Sequence, residues 1–529
     1  MKVGISILAA SCRTSRCLPL IVLFLSLSIG SGRLFAETLN VQETDAQTVR
    51  QLVKQADKLI RKGNLAEAEK LLRRAAEGEG DNALARLRLA HLYVKQRRLV
   101  DAYELAYAVA KADQNNSYAF AILGATMLGA GRFIEARTLY YNALTLDKKQ
   151  AVAWAGIGMI EFYENRINDS LRNLGQAVYH DRDQPDYLFA LAQVSARAEK
   201  YKEAADAYAR FLQVSRDTDD ERRDRIKGLI NFLNFLGQRQ SLYSPGGAES
   251  TLVPINLVGN RPVIQVRVNG KEEPLNFVLD TGSGISVISD ETAKKLDIDP
   301  ITKGGWGKGI GGDGKFEIVY GFVREIQIGG VEIRNVPVYI RKFHVGAHPV
   351  DGYIGLSLIS KFLTTLDYGE LTFALSKAAQ APDTAGPAGS LALPLRLTSS
   401  GFLSGEVQLE GVESPLNFIV DTGASVSVIS DDLASTEAIS PFANSQKMRV
   451  IGSAGVTEGV SSFQLPSVSF GDHSCKDITA IALDLDLINE ASGFEQAGIL
   501  GGNFLKNYKM TFDFKNSKVT FIRVSPQKD

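Results

Sequence analysis

Cysteine is nearly absent from this chain of 529 residues. Of its three cysteines, Cys12 and Cys17 lie close to the start and leave Cys475 alone in the remainder, which excludes an intrachain disulfide framework. Histidine is almost as scarce: five residues, with no HExxH and no paired CxxC, leave little material for a zinc site. No metal and no cofactor is therefore expected. Neither sign of charge dominates, with 59 Lys+Arg against 60 Asp+Glu, so nothing in the balance points to a nucleic-acid partner, a local basic patch aside. Beyond the opening segment, no apolar run approaches the roughly 18 residues that a membrane-spanning helix requires. The whole chain is 45% hydrophobic, enough to fill several cores. At roughly 100 to 200 residues per domain, the length fits about three or four domains.

The opening segment reads as an address. Lys2, Arg13 and Arg16 precede the apolar run from Leu18 to Ile29, a length that suits the core of a secretory signal better than a membrane span. Residues 1–36 are read as a signal peptide, cut near the small residues Gly30 and Gly32 or after Ala36, and 37–47 as a linker. An uncleaved N-terminal anchor is the competing reading. Removal through Ala36 takes Lys2, Arg13, Arg16 and Arg33 and no acid, so 55 bases face 60 acids and the net charge becomes −5. Export is expected, to a bacterial periplasm or as a secreted protein, with no membrane span once the signal is gone.

A repeat follows. Leu65-Ala66-Glu67-Ala68, Leu99-Val100-Asp101-Ala102, Phe133-Ile134-Glu135-Ala136, Ile167-Asn168-Asp169-Ser170 and Tyr201-Lys202-Glu203-Ala204 recur every 34 residues. Each places a large apolar residue three positions before a small one, as the second helix of a close-packed hairpin requires. Polar or glycine-containing turns such as Lys62-Gly63-Asn64 and Gly129-Ala130-Gly131-Arg132 precede them. The period and pattern resemble the tetratricopeptide repeat over about residues 48–217. Residues 220–238, with Ile226, Leu229, Ile230, Leu233 and Leu236 at helical spacing, read as a capping helix. An all-α solenoid of five repeats and a cap is thus expected over 48–240. The resemblance implies a groove that holds a protein partner; a spacer or intrachain brace is the alternative.

After residue 240 the pattern turns to short β-type runs with Gly-rich turns. Pro274 to Asp290 (PLNFVLDTGSGISVISD) recurs as Pro415 to Asp431 (PLNFIVDTGASVSVISD), 141 residues later and identical at 12 of 17 positions. Each copy opens with a hairpin, passes through a Gly-rich stretch, and reaches an apolar pair plus Gly (Tyr353-Ile354-Gly355; Ile499-Leu500-Gly501) before a final hairpin. Two lobes are expected, 252–376 and 391–525, joined by an Ala/Pro/Gly-rich linker at 377–390.

Asp280-Thr281-Gly282 and Asp421-Thr422-Gly423 carry the chemistry, since each apolar strand delivers an Asp into a sharp turn. The module resembles aspartic proteases of the pepsin and retropepsin type over about residues 252–525. The resemblance implies a mostly-β bilobal fold with one shared site. Asp280 and Asp421 become the catalytic dyad, Thr281 and Thr422 the cross-links between loops, and Gly282 and Gly423 the points of close backbone approach. Ser283 is placed to bond the carboxylate of its own loop, where the second lobe has Ala424. Gly309-Ile310-Gly311-Gly312 resembles a flap tip that closes over a bound peptide. His344 and His348 read as solvated loop residues. The dyad forms within one chain or, less simply, between two molecules. A peptidase reading and a non-catalytic peptide-binding scaffold both remain open.

Overall fold

The computed structural model describes residues 48–77, 82–215, 220–239, 241–343, 349–377 and 389–524. The expected signal segment 1–36 and the linker 37–47 lie outside them, as do His344 and His348 and most of the linker between lobes.

Among the described residues of 48–236 there are eleven helices, arranged as five hairpins and a terminal helix. The first hairpin pairs a helix over 48–61 with Leu65–Glu77, and the last pairs Pro185–Arg197 with Tyr201–Val214. Each of the five aligned large residues opens the second helix of its hairpin. The small residues Ala68, Ala102, Ala136, Ser170 and Ala204 are all 0% exposed, which sets how closely the helices approach. The one polar member is satisfied: the Ser170 hydroxyl donates to the Gly158 carbonyl at 2.7 Å. Between the helices of each hairpin one residue adopts a left-handed backbone, at Gly63, Arg97, Gly131, Asn165 and Glu199, again 34 apart.

The terminal helix, Asp220–Leu236, buries two faces. Ile226 and Leu233 pack into the solenoid, whereas Phe232 and Leu236 join the core of the first lobe, with the Phe232 ring stacked on Tyr320 at 4.3 Å. The cap of the solenoid is therefore also a wall of the β module.

Each lobe is built on its own sheet, of nine and of eight strands. The first lobe begins earlier than residue 252. Ser244–Gly247 pairs antiparallel with Val331–Arg341, in the register Ser244↔Arg334. The sequence Ser-Pro-Gly-Gly reads as a turn, yet at a sheet edge the missing proline N–H costs no ladder bond, so the strand is tolerated there. A third sheet of six strands joins the lobes. Its centre pairs Leu363–Asp367 with Tyr508–Asp513, Leu366 opposite Met510, and the outer strands Ser250–Pro254 and Ser390–Pro394 close it. Leu366, Phe373, Met510 and Phe521 are at most 2% exposed, and one hydrophobic core runs from Phe232 through both lobes. This shared sheet holds the two lobes face to face within a single chain. Among the described residues no helix is long and apolar enough to cross a membrane.

The solenoid docks on the second lobe through its turns. Arg97 Nη1 donates to the Asn489 carbonyl at 3.3 Å, and Asn165 Nδ2 to the Phe514 carbonyl at 3.1 Å. The Glu495 N–H donates to Gly129 O at 2.9 Å, and Glu199 pairs with Lys361 of the first lobe. Phe494, 0% exposed, leaves the second lobe to fill a solenoid cluster with Phe133 and Tyr163, ring centroids 5.0 Å away in each case.

Candidate active site

Asp280 and Asp421 end the equivalent strands Leu275–Leu279 and Leu416–Val420. A short strand lies parallel to each, Gly352–Ile354 and Gly498–Leu500, and fixes where the chain stops. The Asp280 N–H donates to Ile354 O and the Asp421 N–H to Leu500 O, both at 3.0 Å. The apolar-apolar-Gly motif thus anchors the aspartates, and its glycines, Gly355 and Gly501, leave room for the turn that follows each DTG.

Four hydrogen bonds lock the two loops together. Thr281 Oγ1 donates to Val420 O at 2.6 Å and accepts the Thr422 N–H at 3.1 Å. Reciprocally, Thr422 Oγ1 donates to Leu279 O at 2.7 Å and accepts the Thr281 N–H at 3.1 Å. Both threonines are buried, so each hydroxyl satisfies groups that water cannot reach. We expect Thr281→Val to cost on the order of 1–3 kcal/mol, because it orphans a buried N–H and a buried carbonyl. Thr281→Ser, which keeps the hydroxyl, should unfold in denaturant much closer to wild type.

This lock brings the carboxyl groups together. A Cβ on Gly282 would lie 2.4 Å from Asp421 Cγ, and one on Gly423 would lie 2.7 Å from Asp280 Cγ. Each carboxyl also accepts an N–H of its own loop: Gly282 to Asp280 Oδ1 at 2.9 Å, Gly423 to Asp421 Oδ1 at 2.7 Å. Burial pushes the Asp280 carboxyl well above the usual range, and the neighbouring Asp421 charge and the bond to it push further. Burial raises Asp421 as well, opposed by the bond from Asp280 and by the N–H groups of Gly423, Ala424 and Gly282. Two buried carboxyl groups set this close are both pushed upward, Asp280 the further of the two.

Ser283 behaves otherwise than the sequence reading placed it. Its hydroxyl donates to Ile285 O at 2.7 Å and is turned away from the Asp280 carboxylate. The tight turn at Gly282-Ser283-Gly284 offers a local carbonyl, and the hydroxyl goes to it.

Gly309, Ile310, Gly311 and Gly312 form the tip of the hairpin between Thr302–Lys308 and Lys315–Ile328. The second lobe raises a matching hairpin, Ala443–Ile451 and Val456–Phe470. The tips bond to each other: Ile310 N–H to Ser453 Oγ at 3.1 Å, Ala454 N–H to Ile310 O at 2.8 Å. Gly311 has φ +87°, and a Cβ there would also strike Gly455 O at 2.4 Å. Beneath the tips lies a cavity of about 2060 Å³, lined by both aspartates, both hairpins and the solenoid residues Phe162, Phe189 and Arg197.

Sequence reasoning missed Arg341 and Ser453. The Arg341 guanidinium covers the Phe316 ring at 3.8 Å and bonds Ser453 O, and its charge acts on Asp280. An arginine ending an otherwise ordinary strand gave no signal of this. Among the described residues no group of three or more His, Cys, Asp and Glu is arranged to hold a metal ion.

Two family models match parts of the chain. Residues 264–358 and 405–504 each match the family model for aspartyl protease. These two segments are thus similar to the aspartyl protease family, one match in each lobe. Residues 59–125 match the tetratricopeptide repeat model. Among solved structures, the chain is similar to an aspartic proteinase from Irpex lacteus, at 14% identity and TM-score 0.36, covering 53% of this chain and 98% of that one. A tetratricopeptide-repeat protein of Thermus thermophilus matches at 18% identity and TM-score 0.30, covering 34% of this chain and 98% of that chain. PilF of Pseudomonas aeruginosa matches at 16% identity and TM-score 0.27, with 37% and 89% covered. A search of curated proteins finds no match. Two aspartyl protease-like lobes thus follow a tetratricopeptide-like helical repeat region that is folded against them.

Proposed function

We propose that this protein is an exported aspartic endopeptidase whose solenoid recruits the protein substrate. The observation that carries the reading is the contact of each DTG glycine with the opposite carboxylate, which leaves two aspartates to share one proton. Asp421, as the ionised member, takes a proton from a water that attacks the scissile carbonyl. Asp280 supplies its proton to the substrate oxygen, and the departing amine is then protonated from the pair, with no covalent acyl-enzyme. The hairpin tips exclude bulk water over the reacting bond and must part for a peptide to enter. Removal of residues 1–36 on export is part of this reading.

The test is digestion of a diverse peptide pool by the mature protein across the acid-to-neutral range, with and without an aspartic-protease transition-state inhibitor. Inhibitor-sensitive cutting supports the proposal; a folded protein that cuts nothing returns the scaffold reading to first place. The rate should trace a bell, because one carboxyl must be charged and the other protonated. Its alkaline limb should lie well above the usual carboxylate range, since burial and the Asp421 charge both hold the Asp280 proton in place. A limb at the position of an ordinary aspartate would contradict the shared-proton arrangement.

A further inference from the structure

Resting on the peptidase reading, one solenoid residue defines what the cleft accepts. Arg197 is the last residue of the helix Pro185–Arg197, and it reaches across the docking seam to the loop at Thr398 and Ser399. Its Nη2 donates to Thr398 O at 3.0 Å and to Ser399 O at 3.2 Å, and its guanidinium lies over the Phe162 ring, 3.9 Å from the centroid. The loop it holds touches the active-site turn. A Cβ on Gly401 would lie 3.6 Å from Arg197 Nη2 and 3.3 Å from Gly284 Cα, and one on Gly284 would lie 2.3 Å from Ser400 O. Gly284 follows closely after Asp280, and Asp280, Gly284, Gly401 and Arg197 all line the same cavity.

Arg197 has a charge with no counter-charge. Among the described residues no carboxylate bonds to or pairs with it, and Nη1 is buried without a hydrogen-bond partner. Tyr163, the other ionisable group beside it, is itself held neutral by burial. Desolvation draws the Arg197 guanidinium down to about 10, so it stays charged at neutral pH. Arg197 is half-buried, with one guanidinium nitrogen buried and unpartnered, and a carboxylate is the partner whose geometry fits its planar donors. Across the cavity Arg341 also has a buried Nε without a hydrogen-bond partner, but its charge faces Asp280.

We propose that Arg197 is a carboxylate-binding subsite of the cleft, so that the preferred substrates are peptides with an acidic group close to the scissile bond. The solenoid thereby contributes directly to specificity. The carboxylate comes from an Asp or Glu side chain or from the substrate's own C-terminus.

Binding to the full-length Asp280→Asn protein separates this idea from catalysis. Fluorescent pools of short peptides are compared in pairs, Glu against Gln at degenerate positions, each with a free or an amidated C-terminus. The Glu pool should bind about tenfold more tightly than the Gln pool. Arg197→Met, introduced beside Asp280→Asn, should erase the difference, and Arg197→Lys should keep part of it. If only the free C-terminus confers the preference, the bound carboxylate is the chain end. Equal binding of Glu, Gln, free and amidated pools, or an equal loss for all of them in Arg197→Met, overturns the proposal and leaves Arg197 a brace. Since the readout is binding, a preference seen in a protein whose wild type cuts nothing would sink the peptidase reading while sparing the subsite.

Discussion

Replacing Asp280 or Asp421 by Asn will lower the rate of peptide cleavage by about 10³-fold or more, because an amide serves neither as the base nor as the acid of the pair. Both copies are needed equally, since each carboxyl leans on the other loop's backbone. Mixing the two variants should restore nothing, as the sheet pairing Leu363–Asp367 with Tyr508–Asp513 commits both aspartates to one chain. Recovery of activity on mixing would instead place the site between molecules. The same Asp280→Asn change has a second readout. In the folded protein Asp280 keeps its proton to a higher pH than in the unfolded chain, so folding takes up a proton and stability falls as pH rises through that window. Asn removes this cost. The variant should therefore melt above wild type at neutral pH, with the gap closing in acid, where both states of wild-type Asp280 are protonated.

Phe494→Ala is expected to cost about 3–5 kcal/mol, the range for emptying a fully buried aromatic site. The residue is 0% exposed, its ring sits between Phe133 and Tyr163, and Arg396 covers Phe133 at 4.1 Å. The loss falls on the seam between solenoid and protease lobes, not inside either. Denaturant unfolding followed by circular dichroism should accordingly show solenoid and β module separating into two transitions in the variant, more widely spaced than in wild type. Tyr141→Ala, at an exposed solenoid position, should stay within about 0.5 kcal/mol of wild type. If Phe494→Ala behaves like Tyr141→Ala, the two parts are not energetically joined through this contact.

What could be read ahead of the structure was what repeats. The 34-residue period appears because every hairpin meets the same neighbour, so the same small residue is demanded at Ala68, Ala102, Ala136, Ser170 and Ala204. The two DTG loops stand out because duplication preserved PLNF and the aspartate together. The edge strand at Ser244 was hidden by its Pro-Gly composition, and the partner of Ser283 by a carbonyl only two residues away. Arg341, Ser453 and Arg197 were hidden for another reason: their roles depend on partners more than 100 positions distant. No local periodicity reports a contact of that kind. The brace reading of the solenoid was available from sequence as an alternative, and the turn-to-lobe hydrogen bonds are what give it substance.

The left-handed turns at Arg97, Asn165 and Glu199, together with Gly129 beside the turn at Gly131, meet four different points on the protease lobes. Solenoids ordinarily change length freely, since each unit needs only its neighbours. This one has given up that freedom. Deleting or inserting a single 34-residue unit would carry every later turn out of step with its docking point and withdraw Arg197 from the catalytic cleft. Repeat number here is therefore a fixed dimension of the cleft, set by the distance from the first turn to the capping helix, and the helical half of the chain works as a ruler for the β half.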